Sequence, residues 1–427
     1  TPGNSGAYTR ITVASDAPNT LYYYCTNHSS MGSSVSIGAN VQYNNDANPP
    51  NISINPKNNL ARGTVYAINY PPGAFTQSGA GGSFVGTAYT FFSSALKDHS
   101  LWSWGSNTYY GELGLNQQGS GKEISSPTQI GSNENWIDLA DLSANGNTFA
   151  AINSDGELWA WGYNGGGQLG QNNRTNYSSP VQIPGTTWGE SKTVLGNKTH
   201  LSVGVPNLAA IKTDGTLWMM GDNYNGSMGQ NHSTTEGDRS SPVQIPGTTW
   251  KCITSGYYCT YATKTDGTMW GWGANHYGHL GLNDIISRSS PTQIPGTTWD
   301  IVDNVSDKGG IARKTDGTLW SWGYNYQGAL GQNQSYPGFA RSSSPAQIPG
   351  TNWSNISGYA YGAMAVKTDG TLWTWGFNGE GQLGHNNRTN ESSPKQVPGT
   401  SWSIDRKKIQ GAHYSARAIK TDGTLWA

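Results

Sequence analysis

The sequence predicts an all-β fold built from repeats, and three observations carry this prediction. The segment Lys-Thr-Asp-Gly-Thr-Leu-Trp occurs four times unchanged, and related segments bring the copies to seven. Short runs of β-forming residues flank the copies, and no part of the repeat has helical periodicity. The copies recur roughly every 50 residues, the period of a propeller or a solenoid. One aspartate marks each copy: Asp98, Asp155, Asp214, Asp266, Asp316, Asp369 and Asp422.

Each period has the same order of local signals. An apolar run such as 361–366 leads into Asp-Gly, and a second run, 371–375, follows, which predicts a hairpin with a type I′ turn. A Gly-x-Asn-x-x-Gly-x-Leu-Gly loop comes next, as at 376–384. The segment 290–299, Ser-Pro-Thr-Gln-Ile-Pro-Gly-Thr-Thr-Trp, predicts an edge strand, because proline cannot donate to a central ladder. Each unit is therefore predicted to be an antiparallel sheet of three or four strands.

The 18 tryptophans all occupy three recurring positions of this period. A sugar-stacking or base-stacking platform is one interpretation of so many indole rings. Recurrence in every unit favours a structural role instead, in which each ring buries roughly 150–250 Å² between neighbouring units. We therefore predict that the tryptophans fill the wedges between blades.

Trp-Gly followed by Gly-x-x-Gly-Gln-Leu-Gly, at a period near 50, resembles the regulator of chromosome condensation repeat family. The resemblance covers residues 85–427 and implies a seven-bladed β-propeller, one blade for each Asp-Gly hairpin. The seventh copy stops at Ala427, directly after Thr-Leu-Trp. We expect the biological chain to continue; the alternative is that the N-terminal segment supplies the missing strand. The eukaryotic family member is a nucleotide-exchange factor on chromatin, but no exchange motif can be placed in this sequence.

Residues 1–37 contain no copy of the repeat and predict a small N-terminal β module. The run Leu-Tyr-Tyr-Tyr-Cys-Thr-Asn-His-Ser-Ser-Met resembles the last two strands of a cupredoxin domain, as found in phage virion proteins. The resemblance implies that Cys25, His28 and Met31 match three ligands of a blue-copper site, lying together on a loop. Such a site needs another histidine from an earlier strand, and residues 1–24 contain none. We therefore expect no cofactor, copper included, in this chain.

Residues 38–84 are rich in Asn, Pro, Gly and Ser and are predicted to form a linker with strands around 64–70. The chain is only 12% charged with a net charge of −1, so it offers no basic patch for nucleic acid. No apolar stretch approaches the roughly 18 residues that a membrane span requires. This composition predicts a virion or extracellular protein. Cys252 and Cys259 are either a cross-strand pair or two buried thiols.

No catalytic constellation emerges from the sequence. The recurrent aspartate is a turn residue, present once per unit, and a Gly-x-Ser-x-Gly elbow is absent. The chain is therefore predicted to be non-enzymatic.

The residues that differ between units lie in the loop after Trp-Gly, and loops on a rigid scaffold commonly carry function. Two interpretations stay open: these aromatic side chains bind a ligand, or they pack between adjacent loops. As a second candidate patch we take the loop at 236–239. The candidate binding residues are Tyr109, Tyr110, Tyr224, Tyr277 and Tyr326.

The two modules together predict a virion-surface or tail-appendage protein that presents a propeller for assembly and for binding a host glycan or receptor. Its expected partners are other virion or surface-assembly proteins within an oligomeric assembly. A secreted bacterial adhesin or repeat protein is the second hypothesis. The third is an enzyme, either a copper redox protein or a propeller hydrolase or lyase.

Overall fold

The computed structural model describes residues 100–427 apart from 134, 143–146, 190–199, 206, 234, 258, 306–307, 335–339, 360, 406–407 and 412–414. Within residues 1–99 it describes the backbone of six strands. The chain separates into two compact units, Thr1–His99 with Lys192–Leu195, and Ser100–Ser191 with Gly196–Ala427. Each is described by itself.

The first unit contains two antiparallel sheets. One pairs β1 with β4, and the other has the order β3-β2-β5-β6. The strands are β1 (Thr9–Thr12), β2 (Thr20–Cys25), β3 (His28–Ser36), β4 (Asn51–Ile54), β5 (Val65–Asn69) and β6 (Ala88–Phe92).

The cupredoxin resemblance is not supported by this backbone. His28 begins β3 and Met31 lies inside it, whereas a blue-copper site requires them on a loop. Cys25 and His28 are backbone partners in the β2–β3 ladder. The side chains of Cys25, His28 and Met31 lie outside the described residues, so their predicted role as copper ligands is not tested.

The second unit is built from mainly antiparallel sheets of two to five strands. Its strands are β7 (Trp102–Gly105), β8 (Ile124–Gln129), β9 (Trp136–Leu139), β10 (Asp141–Leu142), β11 (Thr148–Asn153), β12 (Leu158–Gly162), β13 (Tyr177–Ile183), β14 (Leu201–Val203), β15 (Asn207–Ile211), β16 (Leu217–Gly221), β17 (Arg239–Ile245), β18 (Trp250–Ser255), β19 (Cys259–Lys264), β20 (Met269–Gly273), β21 (Arg288–Ile294), β22 (Trp299–Val305), β23 (Gly309–Lys314), β24 (Leu319–Tyr324), β25 (Arg341–Ile348), β26 (Trp353–Tyr359), β27 (Gly362–Lys367), β28 (Leu372–Gly376), β29 (Glu391–Gln396), β30 (Ile409–Gly411), β31 (Ala416–Ile419) and β32 (Leu425–Trp426). Three 3₁₀ turns, Tyr224–Gly226, Thr235–Gly237 and Tyr326–Gly328, lie between strands.

These sheets are the blades of a β-propeller, and the described residues form six blades rather than the seven predicted. The first blade is β9-β11-β12-β13, and the next four are β14–β17, β18–β21, β22–β25 and β26–β29. The sixth has three strands, β30–β32, and β10 adds to the second blade in parallel. The prediction of seven blades is wrong because, among the described residues, the repeat at Asp98 contributes the two-stranded sheet β7–β8 rather than a complete blade. The number of Asp-Gly hairpin signals gives the number of repeat copies, but a complete blade also needs two inner strands.

The Asp-Gly segments do form the predicted hairpins, but with a different turn. Gly215 has a φ of 78°, whereas Asp214 is not among the residues of positive φ. The Gly215 N–H donates to the Lys212 carbonyl oxygen, and the Lys212 N–H donates to the Thr216 carbonyl oxygen. This is a three-residue loop with glycine in the left-handed region, not the two-residue type I′ turn. The Asp214 carboxylate instead accepts hydrogen bonds from the N–H and hydroxyl of Thr216.

The three tryptophan positions have three environments. The tryptophan that begins each blade is buried. The third strand of a blade carries two tryptophan positions: the earlier one, as at Trp320, is half-buried in complete blades, and the later one, as at Trp322, is buried. The prediction that tryptophans fill the wedges between blades is confirmed for the later tryptophan of the third strand. Trp322 Nε1, for example, donates to the His279 carbonyl oxygen of the preceding blade. The prediction is wrong for Trp102, Trp104 and Trp426, which are about half exposed on the incomplete sheets.

Neighbouring blades are joined by a repeated backbone contact. The Asn231 N–H in the second blade donates to the Ser289 carbonyl oxygen on the outer strand of the third. Gly226 makes this approach possible, because a Cβ there would lie 2.5 Å from Ser289 Cα. The contact recurs at Asn116–Ser178, Asn172–Ser240, Asn283–Ser343 and Asn333–Ser392. These contacts hold the loops close against the following blade.

Cys252 and Cys259 are two buried thiols that are not joined by a disulfide, which decides between the two alternatives. In the β18–β19 ladder Cys252 lies opposite Thr263, whereas Cys259 comes at the start of β19 beyond Thr260. The two cysteines are therefore at different ends of the ladder.

Candidate functional site

The loops after Trp-Gly and the turns between the first two strands of each blade share one end of the propeller. In an antiparallel meander, alternate connections emerge at the same end of the sheet. The loop after β24 therefore lies beside the turn between β22 and β23. We call this side of the propeller the loop end.

A buried asparagine shapes each of these loops. Asn275 is fully buried, and its Oδ1 accepts a hydrogen bond of 2.8 Å from the Leu280 N–H. Its Nδ2 donates to the Asp284 carboxylate and to the Ile286 carbonyl oxygen. The Asn275 side chain thus forms hydrogen bonds with residues at both ends of the loop, and these hydrogen bonds hold the loop in one conformation. Fully buried asparagines occupy the same place at Asn107, Asn164, Asn223, Asn325 and Asn378.

An unbroken chain of aromatic rings crosses the third, fourth and fifth blades at the loop end. The ring centroids of Tyr277 and Tyr324 are 5.0 Å apart, and Tyr324 stacks on Tyr326 at 6.1 Å. Tyr326 contacts Tyr361 at 5.5 Å, and Tyr361 contacts Phe377 at 6.0 Å. We call these five residues the aromatic arc. Tyr277 is 40% exposed and the other four are half-buried, so the arc has packed edges and accessible faces.

Lys308 adds a positive charge to the arc. Its Nζ lies 5.0 Å from the Tyr277 ring centroid and 5.7 Å from that of Tyr324, a cation–π arrangement. Lys308 belongs to the turn between β22 and β23, so two different connections of neighbouring blades build this corner.

His279 supports Tyr277 from within the fold. The imidazole is 6% exposed, stacks on Tyr277 at 5.5 Å, and has its Nδ1 3.2 Å from the Ala274 carbonyl oxygen. Burial is the main cause that lowers the pKa of His279 to about 4, and the positive charges of His276 and Lys308 lower it further. The ring is therefore neutral at pH 7, with Nδ1 as the donor to Ala274.

A smaller aromatic cluster lies in the first two loops. Tyr110 contacts Tyr163 with ring centroids 4.7 Å apart, and Tyr109 contacts Tyr110 at 5.9 Å. Tyr109 is 70% exposed, whereas Tyr110 is half-buried. Both interpretations of the loop aromatics apply here, because one ring packs between loops while the next remains accessible.

The structure thus divides the five predicted tyrosines. Tyr277 and Tyr326 belong to the arc, and Tyr109 and Tyr110 to the smaller cluster. Tyr224, in the second blade, is 50% exposed. Whether any of them binds a ligand remains a prediction.

The loop at 236–239, which is the second predicted patch, contains side chains that form hydrogen bonds and an ion pair within the fold. The Asp238 carboxylate accepts a hydrogen bond from the Asn223 N–H and pairs with Arg174 of the preceding blade at 3.0 Å. The Arg239 guanidinium donates to the Glu236 and Asp238 carbonyl oxygens. Asp238 and Arg239 therefore stabilise the loop itself.

Sequence reasoning misses Tyr361 as a site residue. Tyr361 precedes Gly362 in the turn between β26 and β27, and the pattern places it in the strand run 361–366. A signal was present, since alternate connections of a meander share one end. Turn residues such as Lys308 and Tyr361 should therefore be examined together with the loop after Trp-Gly.

Among the parts of the chain given above, no three His, Cys, Asp or Glu side chains are grouped as metal ligands. Over the same residues, no helix is long and apolar enough to cross a membrane.

The fold and its loop end define a β-propeller that supports variable loop residues on a rigid repeat. The chain belongs to the RCC1-like domain family, whose family model matches residues 84–418. It is 27% identical over 295 residues to the ultraviolet-B receptor UVR8 of Arabidopsis thaliana, an alignment that covers 68% of this chain and 63% of the receptor. It is 32% identical over 133 residues to the mitochondrial RCC1 domain-containing protein RUG3 of the same plant, covering 31% and 27% of the two chains. The aligned parts are thus less than two thirds of either relative.

Two solved structures share the fold. Yeast RCC1 (Prp20), solved bound to Kap60, has a TM-score of 0.59 at 18% identity, with 77% of each chain covered. Human WBSCR16 has a TM-score of 0.60 at 15% identity and covers 94% of this chain and 99% of its own. At these identities the similarity shows the fold alone.

Proposed function

We propose that this chain is a non-catalytic recognition propeller whose aromatic arc binds a neutral glycan on a partner surface. The observation that carries the proposal is the chain of five aromatic rings across three blades, each ring within 6.1 Å of the next. Four of the five are tyrosines, which combine an apolar ring face with a hydroxyl. This combination suits a sugar, whose C–H face stacks on a ring while its hydroxyls form hydrogen bonds.

The rigidity of the loops supports the same proposal. A ligand that contacts fixed side chains loses less free energy to ordering them. The buried asparagines Asn275, Asn325 and Asn378 hold the loops that carry Tyr277, Tyr326 and Phe377. The arc is therefore arranged for binding before a ligand arrives.

Charge makes a neutral ligand the better match. The chain is 12% charged with a net charge of −1. We expect binding to depend only weakly on salt, because few charges contribute to it.

The repeated aspartates support the non-catalytic part of the proposal. Asp214, Asp266, Asp316 and Asp369 each accept the hydroxyl and N–H hydrogen bonds of a following threonine, which is a structural use. Relatives of the family have names as different as an ultraviolet-B receptor and the E3 ubiquitin-protein ligase HERC2, and only 6% of the ligase is matched. No single activity is common to these names, so the variable loops are the better guide to function.

The setting is a separate part of the proposal. We propose that the chain is part of a virion or cell-surface assembly, with other proteins of that assembly as its neighbours. The low charge and the abundance of glycine suit an exposed β scaffold. The copy number of the chain in purified particles tests it: a number fixed by symmetry is expected, and absence from particles contradicts the virion setting.

The binding test uses Tyr277→Ala and Tyr326→Ala on a glycan array, with affinities then measured by calorimetry. Each variant should weaken binding on the order of tenfold or more, as loss of a central aromatic contact does. Ile286→Ala is the matched control, because Ile286 is 64% exposed in the same loop as Tyr277 but outside the arc. Unchanged binding in both tyrosine variants, with the fold intact, contradicts the proposal. Binding of a protein but no glycan would assign the arc to a different partner class.

A further inference from the structure

A lysine lies between two tryptophan rings in five of the six blades. Lys264 Nζ is 4.5 Å from the Trp250 ring centroid and 4.7 Å from that of Trp270. We call this arrangement the Lys–Trp sandwich. It lies at the opposite end of the strands from the aromatic arc, beside the Asp-Gly turns. The other four lysines are Lys212, Lys314, Lys367 and Lys420.

One tryptophan of each sandwich has an unused donor. Trp250 is 3% exposed, and its Nε1 has no hydrogen-bond partner among the described residues. The second tryptophan differs, since Trp270 Nε1 donates to the Thr268 hydroxyl. A buried N–H without an acceptor is costly, and such groups in native proteins commonly have a water or ligand partner. The indole N–H of Trp250 therefore marks a place for an acceptor atom.

A cavity of about 380 Å³ opens beside the sandwich of the third blade. Trp250, Lys264 and Trp270 line one side, and Gln230, Ser290 and the rings of Pro246 and Pro291 line the rest. Gly247 also lines the cavity and leaves space there because it has no side chain. Its φ of 99° is a conformation that favours glycine. A Cβ there would lie 3.2 Å from Lys264 Nζ and 3.8 Å from Trp250 Nε1, so both nitrogens lie close to the Gly247 wall of the cavity.

A different residue occupies this place beside the next sandwich. The corresponding segment beside the sandwich of the fourth blade is Gly281-Leu282-Asn283, whereas the cavity is lined by Gly229-Gln230-Asn231 of the second blade. Leu282 is partly buried and, with Trp320, packs against the hydrophobic core of the fourth blade. At 230 the side chain is instead a glutamine whose Nε2 donates to the Gln244 carbonyl oxygen. The polar residue is therefore directed to the backbone of β17.

The charges at this cavity select an anion. Lys264 has no ion pair with a carboxylate among the residues that the structure describes. The neighbouring Asp266 accepts its hydrogen bonds from Thr268, which is the main cause that lowers the pKa of its carboxyl, with Lys264 a lesser cause. The ammonium and the indole N–H are both donors, and neither can accept. One positive charge and apolar walls match a monoanion with an apolar or ring-shaped body.

We propose that the cavity of the third blade is a binding site for a carboxylate group, with Lys264 Nζ donating to one oxygen and Trp250 Nε1 to the other. The body of the ligand lies against Pro246, Pro291 and the Trp270 edge. An acidic sugar and an acidic peptide side chain share this chemistry. The site is independent of the aromatic arc, because it lies at the other end of the blade.

The test is a titration of the full chain, isotopically labelled at its indole nitrogens, followed by magnetic resonance. The probes are D-glucuronate, N-acetylglutamate amide, glucose and inorganic phosphate at constant ionic strength. A saturable shift of the Trp250 indole resonance, assigned with Trp250→Phe, is expected with the carboxylates and not with glucose. The carboxylate that binds more tightly identifies the source. A shift with phosphate alone, or equal shifts with glucose and glucuronate, overturns the proposal.

Two variants separate the site from general surface effects. Gln230→Leu places in the cavity the residue found at this position beside the next sandwich, and it leaves Lys264 and Trp250 unchanged. Lys264→Gln removes the ammonium. Each should weaken carboxylate binding at least tenfold, whereas Lys314→Gln, the same change in the sandwich with Leu282, should leave it unchanged. Wild-type affinity in a folded Gln230→Leu or Lys264→Gln protein contradicts the proposal.

Discussion

Acid should weaken the propeller through His279, and His279→Gln should remove that sensitivity. The pKa of His279 is about 4 in the folded protein against an ordinary value of 6.5, with burial the main cause. The unfolded chain therefore binds more protons between these values, so stability is fully present above pH 6.5 and is lost as the pH falls towards 4. At pH 4.5 the difference in pKa corresponds to a loss of about 2.5 kcal/mol.

Glutamine is the replacement that the chain itself provides. Gln168 and Gln382 occupy the corresponding position in other blades, where their Oε1 accepts a hydrogen bond from a loop N–H. The variant should therefore fold while losing the titrating group. It also removes the ring on which Tyr277 stacks, so binding at the arc should weaken in the variant at neutral pH.

The assay is urea denaturation at pH 7.5 and pH 4.5 for wild type and variant. The fall in the free energy of unfolding between the two pH values should be smaller by about 2.5 kcal/mol in His279→Gln. His232→Gln, at an exposed histidine of the second blade, controls for loss of a histidine as such. An equally steep fall in His279→Gln and wild type would refute this account of the acid sensitivity.

Two further substitutions test the loop and the wedge. Asn275→Ala should destabilise the protein by about 2–4 kcal/mol in denaturant melts, because the buried Leu280 N–H and the Ile286 carbonyl oxygen lose their partner; a cost below 1 kcal/mol would contradict its role as the loop's support. Trp322→Ala should cost about 3–5 kcal/mol and clearly more than Trp320→Ala, since only Trp322 is fully buried between blades; equal melting curves would contradict this order.

Much of each blade was predictable from the sequence, because the signals involved are local. The hairpin at Asp214-Gly215 depends on residues within one turn, and the edge strand 239–245 is marked by its own proline. The loop chemistry was less accessible. The sequence shows Asn275 in a repeated position, but only the structure shows that its side chain joins residues 280 and 286.

The aromatic arc was predictable only in part, because its members come from different blades. Tyr277 and Tyr326 were predicted as site residues from their variable loops. Their connection through Tyr324, and onward to Tyr361 and Phe377, depends on how neighbouring blades are placed.

An all-β repeat protein, with one Asp-Gly hairpin per unit and an outer strand marked by proline, could be predicted from the sequence alone. These features follow from turn geometry and from backbone hydrogen bonding within a few residues. The number of blades, the burial of each tryptophan and the contacts among the tyrosines are set by the packing of the blades. Those outcomes depend on contacts between blades, such as Trp322 with the His279 carbonyl oxygen 43 residues earlier. A repeated pattern specifies the same local unit each time, whereas packing between units depends on the residues by which they differ.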